Sequence, residues 1–211
     1  MGMCMETFFR LPEEKRTRFL DAAWEEFTRV SFSDASTNQI VRQAGIPRGS
    51  FYQYFRDKED LFRYLMTQAR NHFVEMYASV LKRCGGDFFA AQLMCFDGTV
   101  EHGVEDVLFQ RWVRVLQLNP GLHMQMVQKD QPGYQMLARA CEEMNLTGFA
   151  DEKTAQGAFM LSMFALAGAV MDSLAAPEQT AEFRERLTTQ LNIIKCGSLT
   201  AQDVGAARRS L

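Results

Sequence analysis

Between Ser36 and Lys58 the chain reads STNQIVRQAGIPRGSFYQYFRDK, and no other stretch so narrows what it can become. Thr37, Ile40, Val41 and Ala44 recur at i, i+3, i+4 and i+7, the spacing of a short helix with one buried stripe. Ser36 stands where a side chain can cap that helix, with Gln39 three residues on as its reciprocal partner. Gly45 occupies the position where a left-handed residue ends a helix at little cost. Ile46 then turns into the core, and Pro47 sets the backbone angle at the start of a second helix. On that helix Phe51 and Phe55 point inward together, Gly49 and Gln53 lie opposite, and Ser50 and Tyr52 flank them. Two short helices across a tight turn form a helix-turn-helix, the arrangement that offers its second helix to the major groove of DNA.

The outward residues suit that use. Gly49 and Ser50 carry little bulk where a backbone must approach a duplex. Arg48 stands at the tip, and its planar fork matches O6 and N7 of guanine, while Gln53 can pair with adenine. Asp57 reads as the N-cap of the next helix, which places the Lys58 ammonium and the free amides of that helix start near one phosphate. The formal net charge of −3 does not exclude a nucleic-acid partner, because charge is unevenly distributed. Residues 36–58 hold Arg42, Arg48, Arg56 and Lys58 against Asp57 alone. A focused basic patch matters more than the whole-chain balance.

The run AGIPRGSFYQYFRDKEDLF (residues 44–62), preceded by RTRFLDAAWEEF (residues 16–27), resembles the DNA-binding domain of the tetracycline-repressor (TetR) family. The resemblance covers residues 12–65 of 211. It implies an all-α protein in which an N-terminal three-helix helix-turn-helix domain (1–58) is joined by a long helix to a helical effector-binding and dimerisation domain (59–211). It further implies that Thr37, Tyr52, Tyr54 and Lys58 touch phosphates while Arg48 and Ser50 face bases. In the family the last two long helices pair with their symmetry mates, a role that falls here on residues 151–195. The implied activity is that of a ligand-responsive regulator, most simply a repressor released from a palindromic operator by a small apolar or amphipathic effector. Two departures stand out. The family usually has a glycine after its first helix, near Val30 or Ser31, and none occurs here; Pro47 stands where many relatives have serine.

The remaining chain reads helical throughout. Pro12, Glu13 and Glu14 open a helix with Leu20, Ala23, Trp24 and Phe27 inward and Arg18, Asp21 and Glu25 outward. After Asp57, Phe62, Leu65, Ala69, Phe73, Met76 and Val80 stay in register to Arg83, before Gly85-Gly86. Such a helix is roughly 38 Å long and can join two domains. Further helices are expected near 87–96, 103–118 and 121–145 (broken at Pro132-Gly133), then 151–175 and 177–195. The helix from Thr154 to Leu174 is rich in Ala, Gly and Ser, which lets helix backbones approach closely. Its apolar core, Ala158–Met171, is shorter than the ~20 residues a bilayer needs, so no membrane is expected.

Seventeen phenylalanines and thirteen methionines suit an adaptable apolar cavity. Candidate lining residues are Phe73, Phe109, Trp112, Met160, Met163 and Phe164, with Arg111, His123 or Tyr134 as polar anchors. Five scattered cysteines (4, 84, 95, 141 and 196), without C-x-x-C or histidines at ligand spacing, point to reduced thiols in the cytoplasm and to no metal or cofactor. A redox-sensing cysteine stays open. Three histidines, with no H-E-x-x-H, G-x-S-x-G, Walker or dinucleotide pattern, give no support to an enzyme. The alternative is a helical small-molecule sensor or carrier that keeps the motif without binding DNA.

Overall fold

Nine α-helices and no strand are found among the residues that the computed structural model describes, 3–102, 105–120 and 144–199. They are α1 (Met3–Phe9), α2 (Glu13–Arg29), α3 (Thr37–Ala44), α4 (Arg48–Tyr54), α5 (Lys58–Arg83), α6 (Phe88–His102), α7 (Val107–Leu118), α8 (Glu152–Ala175) and α9 (Thr180–Ser198). A single 3₁₀ turn, Pro177–Gln179, separates the last two. The segment expected to form a helix over 121–145, with its break at Pro132-Gly133, lies almost wholly outside the described residues, as does the tail carrying Arg208 and Arg209.

The chain forms two compact units. The first takes the chain up to His72 together with α7, and the second takes it from Phe73 through α6, with α8 and α9. The long helix α5 is continuous across 26 residues, so each unit owns a part of it. The boundary read from sequence at 58/59 lies at the start of this helix.

In the first unit an aromatic cluster explains why such short helices hold together. Phe8, Phe19, Phe51 and Phe55 are essentially inaccessible, and the Phe19 and Phe55 rings stack at 5.9 Å. Phe8 comes from α1, an element the sequence reading did not anticipate. Seven residues cannot hold a helix alone, so α1 depends on its side chain packing against Phe55 at 5.1 Å and Tyr54 at 5.9 Å. On α2 the inner face holds Phe19, Ala22, Ala23, Trp24 and Phe27, with Leu20 only half-buried. Helix α7 belongs here by polar contacts as well: Arg111 pairs with Asp21 at 2.9 Å, and the Arg114 guanidinium donates to the Thr28 carbonyl.

The second unit packs α8 and α9 against α6 and the C-terminal part of α5, around Leu81, Phe88, Phe96, Phe159, Leu187 and Leu191. Asp151 caps α8 by accepting from the Thr154 amide at 2.7 Å. Within the core, Gln92 donates to the Ser162 hydroxyl at 2.9 Å, and both side chains are fully buried. Ion pairs Arg184–Asp97, at 2.6 Å, and Arg186–Asp172 lie on the surface. Helix α8 is longer than its apolar centre suggested. With its flanking turns it has 24 residues and is, by length and composition, long and apolar enough to cross a membrane. Just 33% of its most apolar window is buried within the chain.

Candidate nucleic-acid interface

Helix α3 ends as its sequence demands. Gly45 takes φ 64°, its amide donates back to Arg42, and the Ile46 amide returns to the Val41 carbonyl at 3.0 Å. This closure satisfies carbonyls that would otherwise be orphaned at the helix end. Pro47 (φ −60°, ψ 143°) is the last extended residue, and its carbonyl accepts the Ser50 amide to open α4. The turn therefore comes from one left-handed glycine and one restricted proline. Ile46 is half-buried beneath it.

Around α4 the faces divide cleanly at about 100° per residue. Arg48, Gly49, Tyr52 and Gln53 are exposed and share one side. Nothing lies within 4 Å of where a Gly49 Cβ would stand, so this face is open. Tyr52 is 47% exposed, with its ring set edge-on to Phe51 at 5.3 Å. Ser50 is half-buried at the edge of the face, and Thr37 is half-buried in the first turn of α3. The expectation for Tyr54 needs correction. It sits on the inner side with Phe51, is 8% exposed, and packs against Phe8 and edge-on against Phe19 at 5.8 Å. Four residues separate Tyr54 from Ser50, but two separate it from Tyr52, and a step of two on a helix carries a side chain to another face.

Lys58 also departs from expectation. Its ammonium donates to three backbone carbonyls, of Phe32 at 2.6 Å, Ser33 at 3.1 Å and Ala35 at 2.8 Å. It also stands 4.7 Å above the Phe32 ring. An ammonium has three protons, and these carbonyls engage all of them. The neighbouring cap holds as read: Asp57 accepts the Asp60 amide at 2.7 Å at the start of α5.

These carbonyls belong to the turn between α2 and α3, where a glycine was missing. Val30 leaves α2 in an extended conformation (φ −135°, ψ 167°), and among the described residues only glycines take positive φ. Side chains reach in from α2, α5 and the end of α7 instead. Asn119, just past α7, accepts the Phe32 amide at 2.9 Å. Lys58 of α5 binds the carbonyls, and Glu26 of α2 accepts the Ser36 amide at 2.8 Å. Ser36 occupies the N-cap position of α3, yet its side chain makes no capping bond, so the reciprocal pair with Gln39 does not form.

Sequence reasoning missed Glu26. Its carboxylate is 2% exposed and pairs with Arg29 at 2.6 Å through its other oxygen. A polar groove of about 340 Å³ beside it is lined by Glu25, Arg29, Gln39, Arg42 and Gln43. Helical period alone places Glu26 next to inward Ala23 and Phe27, a signal that the usual preference of glutamate for water obscures.

The electrostatics of the face are correspondingly narrower than the count of charges suggested. Arg56 pairs with Asp60 at 3.7 Å, and Lys58 is turned inward. Of the basic residues in 36–58, Arg42 and Arg48 remain exposed with no ion-pair partner among the described residues. The proposed effector residues are divided between the two units. Phe109, Arg111 and Trp112 lie on α7 in the first unit, whereas Phe73, Met160, Met163 and Phe164 lie in the second. Arg111 is engaged by Asp21, Phe164 is 39% exposed, and His123 and Tyr134 fall outside the described residues. Among the described residues no group of acidic, histidine and cysteine side chains could hold a metal ion.

Part of the chain resembles known proteins. Residues 19–65 match the family described as bacterial regulatory proteins, tetR family. Over 72 residues the chain is 39% identical to the uncharacterized HTH-type transcriptional regulator YdgC of Bacillus subtilis, covering 34% of this chain and 37% of that one. Over 64 residues it is 39% identical to the HTH-type transcriptional regulator SrpR of Pseudomonas putida, covering 30% of each. The matches thus span about a third of the length of these relatives. The fold also resembles that of NalD, the secondary repressor of the MexAB-OprM multidrug efflux pump in Pseudomonas aeruginosa. There the TM-score is 0.59 at 22% identity, covering 90% of this chain and 98% of that one.

Proposed function

We propose that the chain, whose residues 19–65 match the tetR family of bacterial regulatory proteins, is a regulator of that kind and controls transcription by binding double-stranded DNA through α4. The family is one of regulators rather than enzymes. The observation that carries this reading is the open face of Arg48, Gly49, Tyr52 and Gln53, held rigid from behind by Phe51 and Phe55, both fully buried. Arg48 and Gln53 read base edges, and Thr37 and Tyr52 meet the flanking phosphates. Binding is measured against salt with a duplex that the wild-type chain selects from a random pool. The logarithm of affinity should fall linearly with the logarithm of salt concentration, by about 0.9 per phosphate neutralised. Arg48→Ala should lower discrimination between sequences by about 1–3 kcal/mol. A flat salt response would favour the helical sensor or carrier.

A second copy of the chain completes the operator-binding unit. Support comes from an apolar strip that the described residues leave uncovered. On α8, Leu161 is 58% exposed and Phe164 39%, flanked by the exposed Gly157 and Gly168; on α9, Ile193 is 67% exposed. No atom lies within 4 Å of a Cβ built at either glycine, which leaves the backbone open to a neighbouring helix. A homodimer through residues 151–195 would set two recognition helices about 34–36 Å apart, one turn of duplex. Sedimentation should show a dimer at micromolar concentration. A monomer that floats with lipid vesicles would assign the strip to a membrane instead.

In this reading the second unit responds to a small apolar or amphipathic effector, and the protein is a cytoplasmic repressor released from its palindromic operator. A coupling of about 1–3 kcal/mol changes operator affinity some 5- to 150-fold, and DNA must weaken effector binding by the same factor. An effector that binds without changing operator affinity would rule out this mechanism.

A further inference from the structure

We propose that Lys58 is a positioning residue, which holds the glycine-free turn between α2 and α3 in the shape that presents α3 and α4 to the duplex, and that it contacts no phosphate. The proposal rests on the DNA-binding reading above. Its basis is the convergence of the Phe32, Ser33 and Ala35 carbonyls on one ammonium within 2.6–3.1 Å, with the Phe32 ring beneath it. Three oxygens aimed at one point match the three protons of an ammonium. A guanidinium is planar and presents its donors as a fork, so it cannot serve all three from that position. The charge has no proton left for a phosphate. Releasing it would strand the part-buried Phe32 and Ala35 carbonyls, where unpaired polar groups are costly.

The turn is the hinge on which the reading head depends. It leads directly into Ser36 and Thr37, the start of α3, and it has no glycine to relax into another conformation. Asn119 and Glu26 hold the Phe32 and Ser36 amides, the Asp34 and Ala35 amides return to the Ser31 carbonyl, and Lys58 holds the carbonyls of residues 32, 33 and 35. Without Lys58 the turn keeps its amide partners but loses the group that draws three peptide planes together. Amide contacts alone allow those planes to rotate, and α3 would then enter the groove in a range of orientations.

The test compares the full-length wild-type chain with Lys58→Met and Lys58→Arg, using the selected duplex and a scrambled duplex across a range of salt. Lys58→Met retains most of the stem and loses the charge; its affinity for the selected duplex should fall tenfold or more. Affinity for the scrambled duplex should change less than threefold, and the salt slope should stay that of the wild type. Lys58→Arg should remain impaired although its charge is kept. Amide hydrogen exchange at Phe32–Thr37 should accelerate in both variants while exchange in α5 beyond Leu65 is unchanged, which separates a loosened turn from an unfolded domain. A salt slope shallower by about 0.9 per lost contact, or full recovery with Lys58→Arg, would overturn the assignment and make Lys58 a phosphate ligand. A wild-type chain that selects no duplex would instead overturn the DNA-binding reading itself. The exchange result then still decides whether Lys58 holds the turn.

Discussion

Replacing Glu26 measures how firmly α2 grips the start of the helix-turn-helix. The carboxylate is buried, accepts the Ser36 amide at 2.8 Å and pairs with Arg29 at 2.6 Å. In Glu26→Ala both partners lose it. A hydrogen bond to a charged acceptor contributes about 1.5–3 kcal/mol. The ion pair contributes less, about 0.2–1 kcal/mol, because the Arg29 side chain is 56% exposed and its charge is screened by water. Water can enter from the adjacent groove and partly satisfy the Ser36 amide, which puts the expected loss near 2–3 kcal/mol. Glu26→Gln keeps an acceptor oxygen for that amide and loses mainly the charge, so it should cost roughly 1 kcal/mol. Both tryptophans, Trp24 and Trp112, belong to the first unit. Their fluorescence during urea titration therefore follows that unit. A Glu26→Ala chain whose midpoint stays within the equivalent of about 0.5 kcal/mol of wild type, the range of an ordinary surface change, would refute the reasoning.

Further outcomes follow from three particular residues. Gly45→Ala has open space around its new methyl but forces alanine to φ 64°, so it should destabilise the first unit by about 1–2 kcal/mol in the same titration. Leu161→Asp should move the sedimentation equilibrium from dimer to monomer with little change in helix content, because the side chain is 58% exposed within one chain. Burial, with smaller help from neighbouring Cys84, pushes the Cys95 thiol up from 9.0 to about 11. Alkylation of Cys95 at neutral pH should therefore be slow, since the thiolate is the nucleophile. The sign for stability is fixed as well: below pH 9 both states are protonated, and as pH rises from about 9 to 11 the unfolded thiol ionises first. The second unit should lose stability across that window and regain it in Cys95→Ala, as followed by far-ultraviolet circular dichroism.

Much of the first unit was legible in the chain because its determinants are local. Gly45 and Pro47 act through their own backbone angles, and Asp57 reaches an amide three residues away, so spacing alone reveals them. Phe51 and Phe55 are found by helical period. The same period left Tyr54 ambiguous, because its partners Phe8 and Phe19 lie far back in sequence on two other helices. Lys58 misled for a related reason: a lysine beside a helix start looks like a phosphate ligand until the carbonyls of residues 32, 33 and 35 are seen to surround it.

The chain itself therefore determined an all-helical protein, the two short helices and their turn, and which rings anchor the reading helix. These follow from torsional preference and apolar period, both written within a few residues. Folding in three dimensions decided which polar groups are available to a partner. It buried Glu26, turned Lys58 onto a backbone turn, drew Tyr54 inside, placed α7 with the first unit and left Leu161 and Ile193 uncovered. The reason is that a polar group's free valence depends on every neighbour within hydrogen-bonding reach, and most of those neighbours come from distant parts of the chain.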